Sequence, residues 1–577
     1  MNSRPLIACA AALMASVAMP AAAQDYERVA PKLPAKEEVP TLDAPAVAEP
    51  SPSGADTVLA PALQGLVFVD GPDRLVASGV AAPSGGVDTS QIPELDDPGF
   101  TRQLAPFLGK PLTLVDLERI RGIATSWMRQ HDRPFTDVSA PPQNISAGVV
   151  QIVVTQYRLG KIEVQGARHF SPDLIRRTSG LEPGRTLELD QLQGDLDRLN
   201  QNPFLTVNAI FRPGTETGET DVIFDAKDRL PIRAYAGYDN LGVRSLGVDE
   251  YYVGANWGNA WGLGHVLSYQ YTRTFTGRYH SHSASYVAPL PWHDRLLVFG
   301  SYQTARPLVP PIFKTEGKSG QVSARYVTFL PRMKGFTHDL QFGYDFKTTD
   351  NNLEFAGIQV FGVRAEVHQF PIIYDASLVD ALGQTSIQNI LVISPGDISS
   401  RNTTPVLSTL VPGARSNYVY NRLLVTRTTR LPKDFASITR LTVQLANHNL
   451  PNSEQLGGGG VGSVRGYYSD TALGSKGLLF SQEVRLPPIS LSGLIDSRSK
   501  LGDALQLGIF LDYAHLDQID PIPNIENRVD LASTGFNAHY SVSRYVDVQF
   551  DLGWRLRRVM AAPERGAFGH VSVTIGL

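Results

Sequence analysis

Cysteine is almost missing. The chain of 577 residues has one, Cys9, and it falls in an apolar leader that reads as a cleaved secretory signal. Disulfides, thiolate metal sites and cysteine nucleophiles drop out with it. Long apolar runs are missing too: after the leader nothing approaches the about 18 residues of a membrane-spanning helix. Charge is sparse, at 19% of residues against roughly 25% in average soluble proteins. The net charge of −4 offers no bulk positive field for nucleic acid. No G-x-x-x-x-G-K-[ST] phosphate loop is present. His280 and His282 in GRYHSHSASY lack a third ligand nearby in sequence, so they read as lumen or loop residues rather than as a metal site. Nothing anchors an acid/base pair or a Ser-His-Asp arrangement. The expectation is no catalytic residue, no metal and no cofactor.

Residues 1–23 carry Arg4, the apolar stretch IACAAALMASVAMP and an A-x-A-like site at Ala21-Ala22-Ala23, the layout of a signal peptide. An exported chain without apolar helices can still enter a membrane as a closed β-barrel. Residues 24–64 are rich in Pro, Ala and Glu and read as a linker without the apolar area to order itself.

Two α+β units follow, each read as β-α-α-β-β. In the first, 65–156, GLVFVDG is a strand. A helix over 113–130 puts Leu114, Leu117, Ile120, Ile123, Ala124 and Trp127 on one face, with Thr113 as N-cap. In the second, 157–228, Ser171 caps a helix that starts with Pro172, and LELDQLQGDLDRLNQNP is a second helix. Two such units in succession predict a tandem repeat.

From 229 to 577 helical periodicity gives way to alternation. In YVDVQFDLGWRLRR the apolar Val546, Val548, Phe550, Leu552, Trp554 and Leu556 oppose Asp547, Gln549, Asp551, Arg555 and Arg557. In HVLSYQYT, Leu267, Tyr269 and Tyr271 oppose Ser268, Gln270 and Thr272. Apolar-out, polar-in strands of about ten residues predict an all-β outer-membrane barrel, with length for some 16 antiparallel strands. A soluble β-sandwich has the same local pattern; the export signal and the 21 tyrosines favour the barrel.

One cation stands in the glycine-rich stretch LGGGGVGSVRGYYSD, residues 456–470. A loop folded into a barrel lumen needs a carboxylate to offset the desolvation of its arginine. The strand GIFLDYAHL supplies one: with Ile509, Leu511 and Tyr513 facing lipid, Phe510 and Asp512 point inward. Arg465 and Asp512 are therefore expected to form a bidentate pair in the lumen.

The motif Ser463-Val464-Arg465-Gly466-Tyr467, followed by Phe510-Leu511-Asp512, resembles the signature of two-partner secretion transporters, the hemolysin secretion/activation proteins. Their superfamily also holds the barrel insertases. SQEVRLPP (481–488), YDNLGVRSLG (238–247) and GNAWGLGHVLSY extend the resemblance, which runs from about residue 65 to the end. It implies two periplasmic polypeptide-transport-associated (POTRA) domains and a 16-stranded barrel in a Gram-negative outer membrane. It also implies export of one large β-helical exoprotein, such as a hemolysin or adhesin, that arrives unfolded in the periplasm. The barrel's own surroundings would be outer-membrane lipid and the assembly machinery that inserts it. Two departures stand out: Ala514 follows Tyr513 where the strand motif usually reaches glycine, and the chain ends at Leu577 rather than at an aromatic.

Leu192, Leu196 and Leu199 of the second tandem helix, with the strands LTVNAIFRP and TDVIFDAKD, are candidates for partner docking; the plainer reading of these leucines is helix-to-sheet packing. Two other functions compete. An insertase would share the VRGY loop but usually carries more tandem domains. A passive porin-like channel would have no use for tandem domains.

Overall fold

The computed structural model describes residues 24–34, 57–133, 135–216, 218–308, 313–333, 335–355, 358–496, 501–522 and 526–577. The expected signal peptide, 1–23, lies outside them. The helices used below are α1 (Gln24–Val29), α2 (Pro98–Leu104), α3 (Leu114–Gln130), α4 (Pro172–Ser179) and α5 (Leu189–Leu199). The described residues divide into two units, one of 57–201 with 205–229, the other of 24–34, 202–204 and 230–577.

The first unit holds two small α+β folds. In the first, a four-stranded sheet runs in the order Val87–Asp88, Gly65–Asp70, Val149–Gln156, Thr136–Ser139. Helices α2 and α3 close one face of it, packing Phe100, Ile120, Ala124 and Met128 on Leu66, Phe68, Val150 and Ile152. Thr113 caps α3 as expected, in a reciprocal capping box with Asp116. In the second, Arg158–Gln165, Glu219–Asp228 and Leu205–Pro213 form a three-stranded sheet in that order. The Ser171 hydroxyl accepts from the Leu174 amide to start α4, and Gly180 at φ 66° ends it.

Helix α5 decides between the two readings of its leucines, for packing and against partner docking. Leu192, Leu196 and Leu199 are all buried, because their spacing turns them to one side of the helix, inward. They hold α5 in the domain core and present no surface to a partner.

The second unit is a closed barrel of sixteen antiparallel strands. The first eight are β1 (Ile232–Asp239), β2 (Glu250–Ala260), β3 (His265–Thr274), β4 (Tyr279–Pro289), β5 (Arg295–Ala305), β6 (Phe313–Phe329), β7 (Phe336–Phe355) and β8 (Ile358–Asp380). The rest are β9 (Gly383–Pro395), β10 (Asn417–Arg430), β11 (Ala436–Ala446), β12 (Lys476–Arg485), β13 (Asp503–Asp517), β14 (Arg528–Val542), β15 (Val546–Arg555) and β16 (Ala567–Gly576). Closure is by β1 on β16, from Tyr235↔Gly576 to Asp239↔Ser572. Alternation sets the faces. Ser268, Gln270 and Thr272 of β3 are buried in the interior while Tyr269 between them is exposed on the outside. An outward apolar face and a polar interior suit lipid outside and a hydrated lumen.

The same parity corrects the histidine reading. Ser281 and Ser283 of β4 point inward, so His280 and His282 point outward, where His282 Nδ1 lies 2.7 Å from the Tyr269 hydroxyl. The linker reading for 24–64 also changes at its start. Residues 24–29 are helical, 30–34 follow without regular secondary structure, and Val58–Ala60 pairs with Leu112–Thr113. A six-residue helix has too little length to show periodicity; its order comes from the barrel interior it touches.

Candidate functional site

The loop between β11 and β12 folds into the barrel. Leu456–Gly458 pairs with Ala472–Gly474, and the turn between them needs glycine, since Gly459 and Gly460 take φ of 108° and 83°. Ser463 closes that turn: its hydroxyl accepts from the Gly459 amide at 2.7 Å and donates to the Gly459 carbonyl at 2.9 Å. Val464 and Tyr467 are fully buried, in one cluster with Ala514, Leu516 and Leu531. Ala514, the departure from the motif's glycine, thus gives its methyl group to the core that holds the loop.

Arg465 is 5% exposed. Its Nε and Nη2 donate to Asp512 Oδ2 and Oδ1 at 2.8 and 2.9 Å, and its backbone amide donates to the same carboxylate at 3.0 Å. This is the expected bidentate geometry, reinforced by a third bond. The parity argument also places Phe510, whose ring centroid lies 3.5 Å from the guanidinium carbon. Two partners are new. Nη1 donates to Glu483 Oε2 on β12 at 2.9 Å and to Asp551 Oδ1 on β15 at 3.1 Å. One cation therefore faces three buried carboxylates. Arg440 and Arg485 balance the excess by their own contacts to Glu483, at 3.7 and 2.5 Å. A guanidinium has five donors in a fixed fork, which a lysine cannot reproduce.

The backbone beside it is equally constrained. Gly466 has φ 88°, and a Cβ there would sit 2.6 Å from the Gly553 carbonyl oxygen. Its amide donates to His570 Nε2 at 3.1 Å and its carbonyl accepts from Arg555 Nε at 2.7 Å. The Tyr467 hydroxyl donates to the Arg557 carbonyl at 2.7 Å. The loop is thus sewn to β12, β13, β15 and β16.

Its other end is held by a charge of opposite sign. Glu454, 1% exposed, accepts from Lys347 Nζ on β7 at 2.5 Å, Gln369 Nε2 on β8 at 2.9 Å and the Tyr420 hydroxyl on β10 at 3.0 Å. Its carbonyl accepts from Arg422 and Gln444, both at 3.1 Å. The loop is thus fastened at two places, by Glu454 to β7, β8, β10 and β11 and by Arg465 and Gly466 to β12, β13, β15 and β16.

A second element occupies the interior. Arg28 of α1 donates to both oxygens of Glu250 on β2, at 2.9 and 3.0 Å, and stacks over Tyr279, 4.4 Å from its ring centre. Tyr26 packs on Phe299 of β5 with centroids 4.6 Å apart.

Residues 218–518 match the haemolysin secretion/activation protein family, ShlB/FhaC/HecB. The chain belongs to that family. Residues 84–156 match the ShlB-type POTRA domain, and 157–228 match a second POTRA class, described as a surface antigen variable number repeat. This member of the family is 20% identical over 455 residues to the heme/hemopexin transporter protein HuxB of Haemophilus influenzae, covering 76% of this chain and 77% of that protein. A shorter match, 24% over 149 residues, joins 26% of it to 25% of the outer membrane transporter CdiB of Escherichia coli O6:K15:H31. In fold it resembles the solved CdiB from Escherichia coli, with TM-score 0.74 at 16% identity over 91% of this chain and 93% of that one. CdiB from Acinetobacter baumannii follows, with TM-score 0.59 at 16% identity over 96% of each chain. The protein is an outer-membrane transporter of the two-partner secretion class, with periplasmic POTRA domains ahead of a 16-stranded barrel.

Proposed function

We propose that this transporter exports one large β-helical exoprotein, and that Ser463 to Tyr467, with Phe510 and Asp512, form its gate. The observation that carries the reading is Arg465, buried across Asp512, Glu483 and Asp551. A buried ion cluster is weak evidence for stability, but a cluster holding a loop inside the lumen is suited to holding one arrangement until it is exchanged for another. The passenger arrives unfolded from the periplasm and docks on the POTRA domains by strand addition. Leu205–Pro213 is an edge strand with Glu219–Asp228 as its neighbour, and it exposes Ile210. The passenger then threads the lumen as α1 and the Arg465 loop shift. Folding outside prevents return and gives the process its direction, so transport runs without catalysis by this chain.

Deletion of the gene tests the reading. Loss of one or a few large proteins from the culture supernatant or cell surface, with the outer membrane unchanged, is the expected result. Broad loss of many barrels from the membrane would make the protein an insertase. A conductance with no secretion phenotype would make it a passive channel.

A further inference from the structure

The POTRA domains precede β1 and are periplasmic, so the odd-numbered strands run outward, and the β3–β4 and β5–β6 turns lie on the extracellular side. Register lays the outward residues of these strands in rows. Tyr271, His282 and Tyr302 pair across β3, β4 and β5. One step further out along each strand, the row is Arg273, His280, Thr304 and, on β6, Lys318. Tyr302, with Tyr269 below it on β3, is exposed on the outer face. An aromatic band on a barrel marks the level where hydrocarbon gives way to headgroups. The cations beyond it therefore stand at the level of headgroup phosphate, facing lipid and not the lumen.

The turns extend the cluster. Arg278 lies between β3 and β4, and Arg306 follows β5. The Arg306 amide donates to the Arg278 carbonyl at 2.7 Å, which ties the two turns together. His280 lies within electrostatic reach of Arg273 and Arg306. The neighbouring carboxylates are engaged. Glu316 accepts from Arg306 Nε at 2.9 Å and lies 3.4 Å from Lys318 Nζ. Asp249 accepts from the Tyr238 hydroxyl at 2.7 Å, and Asp350 is the cross-strand neighbour of Lys318 on β7. Arg273 and Arg278 have no carboxylate within ion-pair distance among the described residues. The same end of β12, β13 and β14 is built differently. There Lys476 and Arg528 both reach Asp517, at 3.4 and 3.3 Å, and His515 reaches Asp530 at 2.8 Å.

We propose that the outer face of β3 to β6, through Arg273, Arg278, His280 and Lys318, binds the phosphate of an anionic glycolipid headgroup in the outer leaflet. Clustered cations at a membrane surface attract anionic lipid. The guanidinium groups offer paired donors to phosphate oxygens, Lys318 adds a mobile point charge, and a ring N–H of His280 donates between them. The acyl chains lie along the outward Tyr271, Tyr302 and Val322, of which Tyr302 and Val322 are exposed. That apolar and aromatic surface directly below the cations favours a lipid over a soluble anion, which would leave it uncovered.

The test titrates full-length protein, stripped of native lipid in detergent, with bisphosphorylated lipid A and reads the bound fraction by native mass spectrometry. Arg273→Gln with Arg278→Gln and Lys318→Gln should bind at least about tenfold more weakly than the parent, the effect of one lost charge-assisted hydrogen bond. Lys476→Gln with Arg528→Gln, which removes paired cations from the other sector, should bind as the parent does. Equal binding by the parent and the triple variant, or an equal loss in both variants, overturns the proposal. Lipid A stripped of its phosphates should bind the parent as weakly as the triple variant binds the intact lipid; undiminished binding overturns the phosphate contact. Glucosamine phosphate, a headgroup without acyl chains, should fail to displace the lipid at matching concentration. Displacement would make this a site for soluble phosphate and overturn the lipid assignment. Heat-modifiable migration on gels checks that each variant is folded, and Arg273→Gln alone gives the same comparison, with a smaller loss, if the triple variant is not.

Discussion

Arg465 carries its charge in a place where nothing else can replace it. Removing the side chain as Arg465→Ala leaves Asp512, Glu483 and Asp551 crowded with one cation fewer, a change on the order of 3–5 kcal/mol against the closed loop. Export should fall sharply, because the loop no longer holds the one arrangement that the passenger exchanges for another, while the barrel still migrates as a heat-modifiable folded species on gels; normal export would sink the gate reading. Arg465→Lys should fail nearly as badly, because an ammonium cannot meet Asp512 side-on and reach Glu483 together. The double swap Arg465→Asp, Asp512→Arg should not restore export either, since Glu483 and Asp551 would still face an anion in the loop. Gly466→Ala tests the backbone instead. It meets an unfavourable φ and the Gly553 carbonyl at once, so loop residues 456–474 should become cleavable in limited proteolysis of intact protein.

Among the elements, α5 carries a pH-sensitive stability. Asp195 is buried beside Arg198, and burial, outweighing the guanidinium, pushes its carboxyl up to about 7. The folded domain therefore holds this proton more tightly than the unfolded chain, whose carboxyl titrates near about 4. Stability present at acid pH is lost as pH rises from about 4 to about 7. The POTRA unfolding transition of the full-length protein should move to lower temperature over that range, and Asp195→Asn should flatten the slope. An equal slope in both proteins would count against burial as the cause. The elements themselves were legible where a local rule decides them: the Thr113 and Ser171 caps, the alternation in β3 and β15, the inward Asp512. Glu483 and Asp551 were harder, although Asp551 already stood on the polar face of its strand. Their meeting at Arg465 depends on the register of strands far apart in sequence, which alternation leaves open. His280 and His282 show the same gap: parity says that they share a face, and register says which one. Glu454 gave no signal, being a lone acid in a loop. The short α1 gave none because the lumen wall, not its own sequence, stabilises it.

For the whole molecule, the two fastenings at Glu454 and Arg465 make the loop a bar rather than a hinge. Glu454→Gln should loosen the β7 side alone. Lys347 keeps its hydrogen bond but loses its counter-charge, so single-channel recordings should show more frequent brief openings than the parent, with barrel assembly intact. Glu454→Gln combined with Arg465→Ala should give long openings that neither variant shows by itself. Additive frequencies of brief openings would mean that the two ends do not bear on one gate.

An outer membrane is a sieve that keeps toxic solutes out, and a pore wide enough for a polypeptide is a hole in it. With one fastening, the leak between export events would equal the fraction of time that fastening is undone. With two, the loop swings aside only when both are undone together. If each costs about 3 kcal/mol to break, each is undone less than about 1% of the time, and both at once less than about one part in ten thousand. Two modest latches thus seal the idle pore as well as one very tight latch would, while a passenger that loosens them in turn never meets the combined barrier.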